Sequence, residues 1–536
     1  MDVPTPLLGL PPEITEMITE LMCFNPVAGV SVPTGAIAPE IDTSMAATTA
    51  ARKTKADFCA LRLTCRDIYL KTFNLFGRYY FSTVSVGFTR PSLDRLRGLA
   101  SYRNSFGLTL FEFPSHLIVS THRLLPESKV DRIFSISDPQ EDAQAIVATI
   151  TLLSELEIES YNVPGAYNPD IYAIAAKYRK AVASQQLLTT SSSDINKVAR
   201  SIATFPKFCS ITLDPDDKFW GEEDWQEIAG FDRRVFTSFG GFQSGQNNLE
   251  FATNRILQAI AQAETICQSA GRPLNLRSLT TRAPDGSEEW RPDTHQNIKL
   301  QRLEIHPFSR VALQAAFSRL TYLSIDIHDF VTPKELKELK ENPEKIEQAL
   351  KVLLSSPKHE VLDIVFDDAS SAVDDDLRSL RHPDAAWIGD CIILMLVAAE
   401  QSNCLQRLDL LCLAMVGARD FVNKLVEKHA ATLEVFKLDV SFPDPVYHGI
   451  PASIAIERHR YKGLLRAVAG CPLLEQFSFR VRAESADEDP IADFYMNGRE
   501  SITKRVQYMI KSPTEPEYDY LWADDFETED NDEGDD

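Results

Sequence analysis

The chain lacks the closely spaced cysteine pairs that hold zinc or exchange disulfides. Its nine cysteines are scattered and odd in number, with no CxxC among them. A zinc ribbon and a dithiol redox motif are therefore excluded, and reduced thiols of an intracellular protein are expected. Positive charge is also in short supply: 55 Lys and Arg face 78 Asp and Glu, a formal net charge of −23. That balance argues against broad nucleic-acid binding and against an anionic membrane surface, both of which need clustered cations. No long hydrophobic run occurs. The most apolar one, CIILMLVAA from Cys391 to Ala399, lies between Asp390 and Glu400 and is too short to span a bilayer. The N-terminus carries Asp2 and early prolines and no basic-then-apolar leader, so a cytoplasmic or nuclear location is expected. HExxH, P-loop and GxSxG motifs are missing. The Gly-rich FGGFQSG at 239–245 follows no strand of a nucleotide fold. His306, His328 and the acidic clusters Asp367–Asp368 and Asp374–Asp376 read as surface groups rather than metal ligands. No catalytic residue, cofactor or metal is expected.

What is present is a chain of 536 residues, 44% hydrophobic, too long for one core. Several domains or a repeat architecture are expected. The opening LGLPPEITEMITELM reads as a short helix started by Pro11 and Pro12, where a missing N–H costs nothing, with Glu13 in the first turn. Ile14, Ile18 and Leu21 form one apolar stripe. A second short helix, ADFCALRLTCRDIYLKT, sets Phe58, Leu61, Cys65 and Ile68 on one side and Arg62, Arg66 and Asp67 on the other. Two such helices leave apolar surface uncovered, which calls either for a partner or for docking onto the chain's own later part.

LPPEITEMITELM followed by DFCALRLTCRDIYLKT resembles the F-box, and the continuation KTFNLFGRYYFSTVSVGFTRPSLDRL is similar to the fungal members of that family. The resemblance is carried by Leu10, Pro11, Glu13, Ile14, Ile18 and Leu21, then by Leu61, Leu63, Cys65 and Tyr69. It implies binding to a Skp-type adaptor and, through it, to the cullin scaffold of an SCF-type ubiquitin ligase. The adaptor contacts implied are Leu10, Pro11, Ile14, Ile18, Leu61, Leu63 and Tyr69. The two halves are separated by a loop at 25–56, rich in Ala, Thr, Pro and Gly, where the family has a short one.

Further along, one form recurs: an apolar residue, two others, an apolar residue, one other, an apolar residue. It appears in LQRLEI (300–305), LTYLSI (320–325), HEVLDI (359–364), LQRLDL (405–410), LEVFKL (433–438) and LEQFSF (474–479), and more weakly in LRSLTT from Leu276. Period two predicts strands with one buried face. Helical patterns stand between them: TPKELKELKENPEKIEQALKVLLSS from the N-cap Thr332, AAWIGDCIILMLVAAEQ, ARDFVNKLVEKHAATL and ASIAIERHRYKGLLRAVAG. Such units must stack side by side, which predicts an α/β fold with parallel inner strands and outer helices. The pattern is similar to an irregular leucine-rich-repeat solenoid, without the Asn that normally follows the core motif. A closed α/β barrel or a doubly wound sheet is the rival.

The organisation expected is an F-box at 1–80, a divergent strand–helix region at 81–271, repeats at 272–515 and an acidic tail at 516–536. Within 81–271, SDINKVARSIATF and NNLEFATNRILQAIAQAETICQSAG read as helices, the second capped by Gly271, and FCSITLD as a strand. On the repeat strands, the residues between the buried ones are expected to face an open, concave surface suited to protein recognition: Glu304, Ser324, Asp363, Asp409, Lys437 and Ser478, with Arg302, Tyr322, Asp326 and Arg407 nearby. The function expected is a non-catalytic target receptor of a ubiquitin ligase, with partners an adaptor, a cullin scaffold and an unidentified protein target. A repeat scaffold acting outside ubiquitylation is the alternative.

Overall fold

Among the described residues, short β-branched and leucine-rich runs form strands and the stretches between them form helices. The structure is a computed structural model. It describes residues 11–12, 14–15, 58–121, 180, 183–214, 245–281, 303, 305–327, 343–366, 386–398, 404–414, 419–441, 463–482 and 492–511. The chain divides into two units, Met1–Asn275 with Thr281–Thr294 and Leu276–Thr280 with His295–Asp536.

The second unit carries the repeated motif. Its strands are β4 (Ser278–Thr280), β5 (Tyr322–Ile327), β6 (Val361–Phe366), β7 (Arg407–Ala414), β8 (Val435–Ser441), β9 (Gln476–Arg482) and β10 (Ala492–Asn497), lying side by side in chain order. Neighbours from β4 to β9 pair in parallel. The motif sets the register, so like positions lie opposite like positions: Leu323, Leu362, Leu408, Phe436 and Phe477 form one row. Ile325, Ile364, Leu410, Leu438 and Phe479 form the next such row, and both rows are buried. A third buried line comes from the first motif position, with Leu276, Leu320, Leu405, Leu433 and Leu474 joined by His359.

A recurring hydrogen bond fixes the spacing of the units. The carbonyl of the second motif residue accepts two successive N–H groups of the following unit. Thr321 accepts from Glu360 and Val361 at 2.7 and 3.0 Å, Glu360 from Gln406 and Arg407 at 2.8 and 3.0 Å, and Gln406 from Glu434 and Val435 at 2.7 and 3.0 Å. Arg277 and Glu434 act in the same way. No carbonyl at these strand starts is wasted, as burial of the ladder requires.

Helices α6 (Pro307–Phe317), α7 (Pro343–Leu353), α8 (Ala386–Ala398) and α9 (Arg419–His429) precede β5 to β8 and pack against one another in chain order. Residues 463–469 are helical ahead of β9, and α10 (Arg499–Lys511) follows β10.

The first unit uses the same device on less regular sequence. β1 (Thr83–Val86), β2 (His116–Ser120) and β3 (Ser210–Asp214) are parallel neighbours. Ser82 accepts from Ser115 and His116, and Ser115 accepts from Cys209 and Ser210. Ahead of β1 lie α1 (Arg66–Lys71) and α2 (Phe73–Phe81). The helices that follow are α3 (Arg90–Ser101), α4 (Ser193–Thr204) and α5 (Gly245–Ser269), with α4 packed between the other two. α5 ends at Gly271, whose φ of +74° is the left-handed conformation that a helix C-cap needs. Gly77 of α2 sits so close to the Phe113 ring that a Cβ there would lie 2.3 Å from it.

Three expectations need correction. LQRLEI does not form a ladder strand among the described residues: Leu303 and Ile305 are irregular, and the weaker LRSLTT supplies the neighbour of β5. The final pair is not parallel, since β10 runs antiparallel to β9. A parallel return needs a crossover of roughly a dozen residues or more, and only residues 483–491 lie between these strands. The second opening helix is broken. Residues 58–64 are helical, but Cys65 is extended (φ −157°, ψ 161°) and its Sγ accepts the Ile68 N–H as the cap of α1. The starts of the predicted helices at 332–342 and 452–462, the acidic tail and the 25–56 loop lie outside the described residues.

Candidate functional site

Two groups of side chains stand out. The first is the N-terminal helical segment. Phe58, Tyr69, Phe73 and Phe76 surround one side chain, Arg62, whose guanidinium carbon lies 3.7 Å from the Phe76 ring centre, 4.6 Å from Tyr69, 5.8 Å from Phe73 and 5.9 Å from Phe58. Arg62 is only 4% exposed, and its Nε and Nη2 make no hydrogen bond. The sequence placed it on the solvent side of an unbroken helix, opposite Phe58. The break at Cys65 turns Tyr69 and Phe73 back over it. A guanidinium is weakly hydrated and stacks well on rings, so an aromatic box can take it into the interior. Burial still lowers its pKa, against the raising influence of Tyr69 and other neighbours. The aromatic density of residues 58–81 was the sequence signal for this box.

Of the seven implied adaptor contacts, Leu10 and Ile18 lie outside the described residues. Pro11 is exposed and accepts the Thr15 N–H at 3.0 Å, the first turn of the opening helix. Ile14 is 38% exposed and Leu63 83% exposed. Leu61 is half-buried. Tyr69 is half-buried too, with its hydroxyl held by Asn104 Nδ2 at 3.4 Å and its ring 6.4 Å from Phe73. The inner side of the segment is thus sealed by its own aromatics, by Ile68 and by the cluster of Phe73, Leu110 and Phe113, while Leu63 and Ile14 stay open.

The second group is the row between the two buried rows of the repeat strands. Register aligns Ser324, Asp363, Asp409, Lys437 and Ser478 directly across β5 to β9. An open face was expected here, and the structure differs. Ser324, Asp363 and Asp409 are buried, while Lys437, Ser478, Tyr322 and Asp326 are half-buried and Arg407 is exposed. Strands lie about 4.8 Å apart, so each short side chain is flanked on both sides by the row itself. Arg407 then folds over Asp409, donating to Oδ2 from Nε at 2.9 Å and from Nη2 at 2.6 Å. Ser324 donates its hydroxyl to Asp363 Oδ2 at 3.0 Å. Burial pushes the Asp409 carboxyl up, Asp363 adds to that push, and Arg407 and Lys437 oppose it. This is a tied polar ladder with Arg407 as its exposed cover. Arg302 and Glu304 lie outside the described residues.

Other features of this unit carry less. His306 is exposed and stacks on Phe308 at 5.4 Å, and His328 lies outside the described residues. The pairing of exposed Phe308 with exposed Val311 on α6 is a surface that sequence reasoning missed. Among the described residues no group of three His, Cys, Asp or Glu side chains is placed to hold a metal, and no helix is long and apolar enough to cross a membrane.

No family model matches the chain, and neither curated proteins nor solved structures match it.

Proposed function

We propose that the chain is a target receptor of an SCF-type ubiquitin ligase. The N-terminal segment, taken as an F-box, docks on a Skp-type adaptor and so on a cullin scaffold. The strand–helix units, taken as degenerate leucine-rich repeats, hold a protein target. The chain then contributes proximity rather than chemistry, raising the effective concentration of target lysines at the transfer site. The observation that carries this reading is Leu63. It is a leucine left 83% exposed five residues from Phe58, which is fully buried. A residue of that kind supplies about 1.5–3 kcal/mol when another surface covers it.

The test is co-purification of the adaptor with the full chain and with the double variant Pro11→Ala, Ile14→Ala. Loss of the adaptor in the variant, with the repeats still folded by circular dichroism, is the expected result. Retained adaptor would refute the assignment. Adaptor binding without cullin-dependent loss of any partner would mark a scaffold acting outside ubiquitylation.

A further inference from the structure

We infer that the N-terminal unit carries a dock for an acidic polypeptide, formed by Leu63 and Arg66 of the helical segment and by Tyr102, Arg103 and Phe106 of the loop after α3. The inference rests on the reading of this segment as adaptor-binding. It extends the contact from the helices to a loop and assigns a charge sign to the partner's face.

Charge is the first support. Residues 58–121 hold eight Lys and Arg against Asp67, Asp94 and Glu112, the last of which accepts from the Thr109 hydroxyl at 2.9 Å, in a chain whose totals are 55 against 78. Among the described residues no carboxylate forms an ion pair with Arg62, Arg66 or Arg103, and Asp67 is the one acidic neighbour within the helical segment. Arg62 lies in its aromatic box 4.6 Å from the Tyr69 ring, with two nitrogens that meet no acceptor, and adds a third positive charge to the segment. A positive field of this kind favours a negative partner.

The second support is that the surface is built before any partner arrives. Asn104 Oδ1 accepts the N–H groups of Phe106 and Leu108, each at 2.9 Å, and its Nδ2 reaches the Tyr69 hydroxyl. Gly107 takes a φ of +77°, which closes the turn. Phe106 is thereby held 6.3 Å from the Tyr69 ring and 4.5 Å from the Arg66 guanidinium, while remaining exposed together with Tyr102. A preformed surface of Arg, Tyr and Phe loses little entropy on binding and has the composition of an interface hot spot. Arginine meets a carboxylate through two parallel hydrogen bonds, and the exposed Leu63, three residues before Arg66 in the chain, offers an apolar side chain on the same segment. That apolar element, with the chain's net charge of −23, favours a polypeptide over a nucleic acid.

The experiment uses the full chain, the charge-reversal variant R66E/R103E and the variant F106A, each checked by thermal melting. Three labelled probes are titrated at low and high salt: a purified Skp-type adaptor, a synthetic peptide alternating Glu and Asp with Leu and Phe, and oligo(dT). The expected result is adaptor binding that weakens with salt and weakens at least tenfold in R66E/R103E, with a smaller loss in F106A. Adaptor affinity unchanged within twofold in R66E/R103E would overturn the dock and leave the proposed function standing. A wild-type chain that ignores the adaptor but binds the acidic peptide through Arg66 and Arg103 would keep the dock and remove the proposed function. Binding of neither protein probe, or tighter binding of oligo(dT) than of the peptide, would overturn the dock. If reversal lowers the melting temperature, R66Q/R103Q gives the same comparison.

Discussion

The helical segment at 58–81 and the repeat strands β5 to β9 bury apolar side chains in opposite ways. On the strands, one residue type recurs at one register position, and each row is closed by the unit on either side. In the helical segment nothing recurs. Seven aromatics gather locally, Arg62 is taken into their midst, and Leu63 beside it is left in solvent. A repeat array seals itself because every unit has a neighbour of its own kind. A short helical unit has no such neighbour, so the surface it leaves bare is available to something else.

The largest expected effect lies in the repeats. Leu408 sits in a buried row between Leu362 and Phe436. Leu408→Ala is expected to destabilise the second unit by about 2–5 kcal/mol in denaturant unfolding, through lost transfer energy and a residual cavity. A cost below that of an exposed substitution would break the picture of tightly closed rows.

The next effect depends on pH. His359 occupies a slot that Leu320, Leu405, Leu433 and Leu474 fill in other units, is 2% exposed, and has both ring nitrogens unbonded. Burial pushes its pKa down to about 4, from an ordinary 6.5. A depressed folded pKa means that the neutral ring is the one that fits. Its contribution is fully present above pH 6.5 and is lost as pH falls from 6.5 through 4, by about 3 kcal/mol across that window. His429 and His116 are pushed to about 4 as well and act in the same direction. His359→Leu is therefore expected to lessen the acid-side slope of the stability–pH profile, with His429 and His116 supplying the slope that remains. An unchanged slope between pH 6.5 and 4 would show that the ring does not stay neutral in its slot.

The smallest effect sharpens the contrast from the other side. Leu63→Ser is expected to change stability by no more than about 0.5 kcal/mol, as for an ordinary surface position. A drop near that of Leu408→Ala would mean that Leu63 is covered within the chain.

Much of the fold was legible because its rules are local or periodic. Five of the six strong motif copies became strands, each opening at the third motif residue, and Gly271 capped its helix. LQRLEI has the spacing of the motif, yet its described residues, Leu303 and Ile305, are irregular. The antiparallel return of β10 followed from a short connection, with no motif to announce it. The candidate site was read less well. Period two told which residues of β5 to β7 face away from the buried rows, but not that Ser324, Asp363 and Asp409 are themselves enclosed.

Composition, spacing and alternation by themselves determined the α/β class, the parallel pairing from β4 to β9 and the apolar rows that would be buried, because leucines at fixed intervals are satisfied by stacking like on like. Tertiary structure alone decided where Arg62 goes, how Arg407 covers Asp409 and that Leu63 stays in water. The Arg62 box needs side chains from successive helices and the Arg407 cover needs the tight row that encloses Asp409, and a charge is tolerated in the interior only where rings or a counter-charge arrive to meet it.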